Sequence, residues 1–216
     1  GRDIWTGVLF GARVSLTVGV LAATTSALIG TAIGSIAGYY GGGVDNVLMR
    51  GTEFFLVIPS FLLALILVAV SGPSIWNVIL TIGLLGWPST ARLIRAEFLS
   101  LKQREFVMAA HAVGAGTARI VFRQILPNAA PPAVVMTSLG VASAILVEAG
   151  LSFLGLGDPN LFSWGLMLRN SREFLRIAWW MPTFPGLAIF LTVLSVNLVG
   201  DGLNDALNPR LTHRAG

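Results

Sequence analysis

The stretch AAHAVGAGTARIVFRQILPN, residues 109–128, decides how this chain is read. It is polar and basic, yet long apolar runs lie on both sides of it. Upstream, RAEFLSLKQREFVMAAHAV (95–113) contains no proline or glycine, and Leu99, Phe106, Val107 and Ala110 fall three or four residues apart. That spacing predicts a helix with one apolar face. Gly114 ends it, because glycine takes the left-handed cap conformation at little cost. Ala115 and Gly116 make a turn. Thr117 is expected to cap a second helix carrying Ala118, Ile120, Val121 and Ile125. Pro127 is expected to break that helix just before the next apolar run. The product is a helix–turn–helix. Its tip is small (Ala109, Ala110, Gly114, Ala115, Gly116) and can enter a groove on a partner.

The flanking runs place this hairpin at the edge of a membrane. A crossing takes about 20 apolar residues, with a range of about 17–25. Five runs reach that length: 14–37, 54–70, 75–91, 132–151 and 182–200. Glu148 is the one charged residue inside them. A membrane barrel would alternate apolar and polar residues in short segments, whereas these runs are apolar on all sides. The first contains ALIGTAIGSIAG (27–38), whose Gly30, Gly34 and Gly38 form a stripe that lets helix backbones approach closely within a bundle. Pro59 and Pro88 fall inside runs and imply kinks or breaks. Hence the expected fold is an all-α polytopic membrane protein. It forms a single transmembrane unit over 1–216, with a loop at about 92–127 and a segment at about 155–181 on the opposite side.

Composition agrees. Of 216 residues, 55% are hydrophobic and 11% charged, and mean hydropathy is +0.80. A soluble domain carries about 25% charged residues. The net charge of +4 would suggest nucleic acid in a soluble protein. In a membrane protein the basic residues are topology signals and headgroup contacts, so no nucleic-acid partner is expected and the lipid bilayer is. With no cysteine there is no disulfide, thiolate metal site or thiol nucleophile. The chain opens at Gly1 without methionine or a signal-peptide pattern and is read as a fragment. Five spans put its ends on opposite sides. With 92–123 inside, nine of the fourteen Lys and Arg residues are cytoplasmic (Arg50, Arg92, Arg95, Lys102, Arg104, Arg119, Arg123, Arg210, Arg214). The other five (Arg2, Arg13, Arg169, Arg172, Arg176) are external. That bias puts the C-terminus in the cytoplasm.

The hairpin resembles the EAA loop of ATP-binding-cassette importer permeases, whose pattern is E-A-A-x3-G-x9-I-x-L-P. Ala109, Ala110, Gly114, Leu126 and Pro127 match it. Met108 replaces the glutamate and Gln124 the isoleucine, so the glutamate's salt bridge to the ATPase has no counterpart here. Further stretches are similar to the dipeptide/oligopeptide/nickel permeases of second-subunit type: GRDIWTGVLFGARVSLTVG, AGYYGGGVDNVLMR, GWPSTARLIRAEFLSLKQREFVMAA, LVEAGLSFLGLG and NLVGDGLNDALNPRL. Together they cover nearly the whole chain. Members of that family usually carry one more N-terminal span, six in all.

The resemblance implies the methionine-permease-like (MetI-like) type I importer fold in a bacterial or archaeal inner membrane. It implies a second homologous permease, two cytoplasmic ATPase subunits and an external substrate-binding protein. The loop residues Ala109, Ala110, His111, Gly114, Ala115, Gly116, Thr117, Arg119, Leu126 and Pro127 would couple to the ATPase. ATP and magnesium would sit on the partners. This chain has no G-x-x-x-x-G-K-[ST] motif, no expected cofactor and no catalytic residue.

Glu148 has two readings. As an intramembrane acid it is a candidate for the pathway or a gate. Alternatively it makes a structural hydrogen bond or pairs with an external arginine such as Arg169. His111 has no second ligand at metal-binding spacing, so no metal site is expected. Trp164, Trp179 and Trp180 read as an interfacial belt. The tail 197–211 either packs under the bundle or touches the ATPase. Two other classes remain open. A secondary transporter or channel would favour internal repeats and midplane charges, and none stands out. A lipid-binding scaffold would not need a glycine turn framed by two helices.

Overall fold

The computed structural model describes residues 3–207. Arg2, Arg210 and Arg214, and the tail beyond Leu207, lie outside the described residues. Every regular element described is helical. Helix α1 (Ile4–Tyr40) is capped at its start by Asp3, whose carboxylate accepts from the Trp5 amide. It has 37 residues and a length of about 55 Å, well beyond the 14–37 run. Helix α2 (Gly42–Val57) returns and breaks at Ile58–Pro59. Helix α3 (Ser60–Ser71) then continues at 85° to it. The run at 54–70 is therefore not one straight rod. Its first four residues end α2, and the break falls where proline removes an amide donor.

Helix α4 (Ile75–Leu101) lies parallel to α1 and closely against it. Gly30, Gly34 and Gly38 face Trp87, Thr90, Ala91, Ile94, Arg95 and Phe98. A Cβ at Gly30 would lie 2.7 Å from the Trp87 carbonyl oxygen, so only glycine permits this approach. Pro88 sits inside α4 without ending it. Helices α5 (Glu105–Ala112) and α6 (Thr117–Ile120) form the hairpin. A five-residue π turn (Val121–Ile125) leads straight into α7 (Leu126–Phe153), which runs antiparallel to α1. Helix α8 (Trp164–Ser171) and a 3-10 turn (Arg172–Phe174) bridge to α9 (Trp180–Leu207).

By length and composition, α1, the α6–α7 run and α9 can each cross a membrane, and the bent α2–α3 pair makes a fourth. Helix α4 is long enough at about 40 Å. It is less apolar, because Asn77, Ser89 and Thr90 interrupt it and Arg92 and Arg95 follow. The core is three packed zones. Val18, Ala64, Val78 and Leu151 join α1, α3, α4 and α7. Tyr39, Phe98, Val107, Ile120 and Ile125 seat the hairpin. Ile145, Trp164 and Ile189 tie α7, α8 and α9 at the other end.

Two local expectations change. The helix expected over 95–113 is interrupted at Lys102–Arg104. Lys102 ends α4 there, and its ammonium donates to the Tyr39 carbonyl at the end of α1. A cation on an orphan helix-terminal carbonyl stabilises that end, and the docking fixes the break without glycine or proline. Pro127 does not break its helix. The π turn just upstream widens the backbone, with Leu126 N–H bonded to the Val121 carbonyl. That opens room for a ring that would otherwise clash with the preceding turn.

Candidate functional site

The hairpin closes through backbone bonds. The Ala115 N–H donates to Ala110 O and the Gly114 N–H to His111 O, both at 3.0 Å. That pair of bonds is the Schellman closure, and it requires a left-handed residue, which Gly114 supplies at φ +77°. The cap of α6 is Gly116 rather than Thr117. Thr117 is the first helical residue, and no side chain caps the end.

The buried side of the hairpin is Val107, Ala110, Ile120 and Ile125, packed on Ile94 and Phe98 of α4 and Tyr39 of α1. Phe106, expected on this face, is exposed instead. The outer surface carries Phe106, Met108, Val113 and Phe122, with Val113 83% and Phe122 66% exposed. Ala109, His111, Gly114, Gly116, Thr117 and Arg119 share that surface, and Ala115 is half-buried. Leu126 and Pro127 lie at the root, where the hairpin becomes α7. Glu148 is at the far end of α7, about 33 Å away along the helix.

A cavity of about 550 Å³ lies between α1, the α2–α3 break, α4 and α7. Its polar lining is hydroxyl: Ser26, Ser60, Ser89, Thr90, Thr137 and Ser143. No charged side chain lines it, and Pro59 and Pro88 both do. The sequence reading missed these hydroxyls. Their signal was serine and threonine recurring inside otherwise apolar runs.

Glu148 does not face that cavity, although its neighbours Ala144 and Val147 do. It is 3% exposed. One carboxyl oxygen accepts from Ser15 on α1 at 3.0 Å and the other from Ser152 on α7 at 2.7 Å. The Ser15 hydroxyl in turn accepts from the Trp164 amide. A small void of about 10 Å³, room for about one water, separates this cluster from Asp158 and Ser163. Arg169 lies against Gly155 and forms no ion pair with Glu148. Trp164 is buried and donates from Nε1 to the Val8 carbonyl, so it pins α8 to α1. Trp179 and Trp180 are exposed.

A second polar feature escaped the sequence reading. Asp45 at the start of α2 receives both Nε and Nη2 of Arg95 on α4, the latter at 2.6 Å. This two-pronged pair is the one ion pair among the described residues. No group of three His, Cys, Asp or Glu side chains among them could hold a metal.

Residues 30–213 match the model of the family described as binding-protein-dependent transport system inner membrane component. A dipeptide transport system permease protein, DppC, of Alkalihalophilus pseudofirmus is 46% identical over 98% of this chain and 70% of its own. The glutathione transport system permease protein GsiD of Pectobacterium atrosepticum is 42% identical over 98% of this chain and 70% of its own. A di/tripeptide transport system permease protein of Pseudomonas aeruginosa is 40% identical over 100% and 71%. Among solved structures, an inward-facing form of the MetNI methionine transporter superposes with a TM-score of 0.79. It matches 96% of this chain and 99% of that one at 17% identity.

Proposed function

Because this chain belongs to the family of binding-protein-dependent transport system inner membrane components, a family of multi-pass permease subunits of ATP-binding-cassette importers whose ATP hydrolysis resides on partner subunits, we propose that it forms one half of an import pathway for peptides. The second half is a homologous permease. Two ATPase subunits bind beneath, and an external binding protein delivers the substrate. The peptide class rests on the relatives' names, which span dipeptides, tripeptides and glutathione. The hydroxyl-lined, charge-free cavity fits that breadth. It offers hydrogen bonds to a peptide backbone without selecting side-chain charge, so the binding protein makes most of the choice.

The observation that carries the coupling role is the hairpin. It is seated on α1 and α4 by a buried apolar face while holding Val113 and Phe122 outward. Apolar groups at an exposed tip mark a partner surface. On this reading the hairpin and the C-terminus are cytoplasmic. Glu148 then acts as a pin that joins α1, α7 and the start of α8 on the external side. Purification of the native complex tests the proposal. ATPase subunits and a second permease should copurify, and mass spectrometry of the binding protein's ligand should return short peptides. A chain that transports in reconstituted vesicles without any ATPase would contradict it.

A further inference from the structure

Helix α2 is held loosely. Among its 16 residues only Asp45 and Thr52 are buried, and the Thr52 hydroxyl bonds within its own helix, to the Leu48 carbonyl. It leaves α1 through Gly41 at φ +67° and Gly42 at φ +54°. No atom lies within 4 Å of a Cβ built at either position. The left-handed turn is thus open, unlike the tight glycines of the α1–α4 contact. At its other end α2 turns by 85° at Ile58–Pro59. A rod of about 24 Å therefore has a bend point at each end. Its described side-chain hydrogen bonds to another element are both donated by Arg95 to the Asp45 carboxylate, and Phe55 rests edge-on against Trp87.

The two ends of this rod meet different parts of the machine. Phe55, Leu56, Ile58 and Pro59 wall the 550 Å³ cavity. Arg95 sits on α4, which is locked to α1 by the glycine stripe and ends six residues later at the Lys102–Arg104 break that leads into the hairpin. We propose that the Asp45–Arg95 pair is a latch. It positions α2 against α4, and its release lets α2 pivot between Gly41–Gly42 and Pro59 and so reshape the cavity wall. Asp45 and Arg95 are positioning residues through which hairpin movement reaches the pathway. This rests on the permease reading above.

The test uses the assembled complex in lipid, with the other subunits made cysteine-free; this chain has no cysteine. Spin labels go on Val47→Cys in α2 and Ala96→Cys in α4, both exposed positions. Distances are read without nucleotide and with trapped nucleotide. A pair of this exposure is worth about 1 kcal/mol, which sets a roughly five-fold change in population. Asp45→Asn should raise the released population about five-fold without nucleotide. It should also raise ATP hydrolysed per substrate imported by a similar factor. The swap Asp45→Arg with Arg95→Asp should bring both readouts back to within about two-fold of the parent, which a loss that did not run through the pair would not do. A parent that keeps one α2–α4 distance throughout the cycle overturns the latch, as does an Asp45→Asn complex that matches the parent in both readouts. A parent that purifies without any ATPase contradicts the permease reading, and this inference with it.

Discussion

At Gly30 the α1 backbone approaches α4 so closely that a single methyl group would meet the Trp87 carbonyl and the Thr90 Cβ at 2.7 and 2.6 Å. At Gly51, on the open side of α2, the same methyl would touch nothing within 4 Å. One substitution at two sites therefore separates packing from helix propensity. Gly30→Ala should destabilise by about 1–3 kcal/mol through overpacking. Gly51→Ala should gain about 0.5–1 kcal/mol, because alanine loses less backbone freedom in a helix. Thermal unfolding of the purified protein in detergent should give a melting temperature several degrees lower for the first and no lower for the second. Equal effects would show that the α1–α4 contact is looser than described. Glu148 gives a second contrast at this scale. Glu148→Gln keeps an oxygen and leaves hydroxyls that can reorient, so the loss should stay under about 1 kcal/mol. Glu148→Ala removes the acceptor of two buried hydroxyls and should cost about 2 kcal/mol or more. Uptake should follow stability in both; a Glu148→Gln protein of normal stability but lost uptake would return this carboxylate to the pathway. The sequence showed that an acid lay inside the fourth run, but not what it meets. Ser15 is 133 positions away, and nothing in local spacing announces such a partner.

Among the elements, the hairpin was the most legible. Gly114 lies between two helix-forming runs, and the turn falls there because a Schellman closure needs a left-handed residue. What escaped were boundaries set by tertiary contacts. The break at Lys102–Arg104 comes from docking on Tyr39, and the passage through Pro127 from a π turn. Neither leaves a compositional mark. The inward face was likewise only half legible. Val107 and Ala110 point in, whereas Phe106 turns out because α5 starts anew after the break and shifts the register. The outward apolar residues carry a prediction of their own. Val113→Glu with Phe122→Glu changes only exposed side chains, so folding and melting temperature should stay near the parent. In a closed interface each carboxylate would be desolvated without a partner. Copurified ATPase should fall at least about ten-fold. A normal yield would place the ATPase contact elsewhere.

For the whole molecule, the order of the long helices followed from the apolar runs, since lipid demands long self-satisfied helices. The cavity did not follow, because it forms where five helices, α1, α2, α3, α4 and α7, fail to fill the space between them. The fold puts the hairpin at one end of the bundle, and α8 with the 3-10 turn at the other. Single cysteines at Arg104 or Arg119 should accordingly react with an impermeant thiol reagent only after cells are opened, and a cysteine at Arg172 in intact cells. Reaction of position 104 from outside would invert the topology. The central claim, that the hairpin transmits ATPase movement to the bundle, is tested most directly at Gly114. A Cβ there meets nothing within 4 Å, so valine causes no steric clash with a neighbour. It does place a β-branched residue at φ +77°, a conformation such residues resist. The apolar runs are untouched. ATP-dependent substrate uptake and the yield of copurified ATPase should be measured together for Gly114→Val in membranes that contain the parent amount of inserted permease. The expected result is normal insertion with uptake lost and the ATPase contact weakened; parental uptake with a parental ATPase yield would contradict the account.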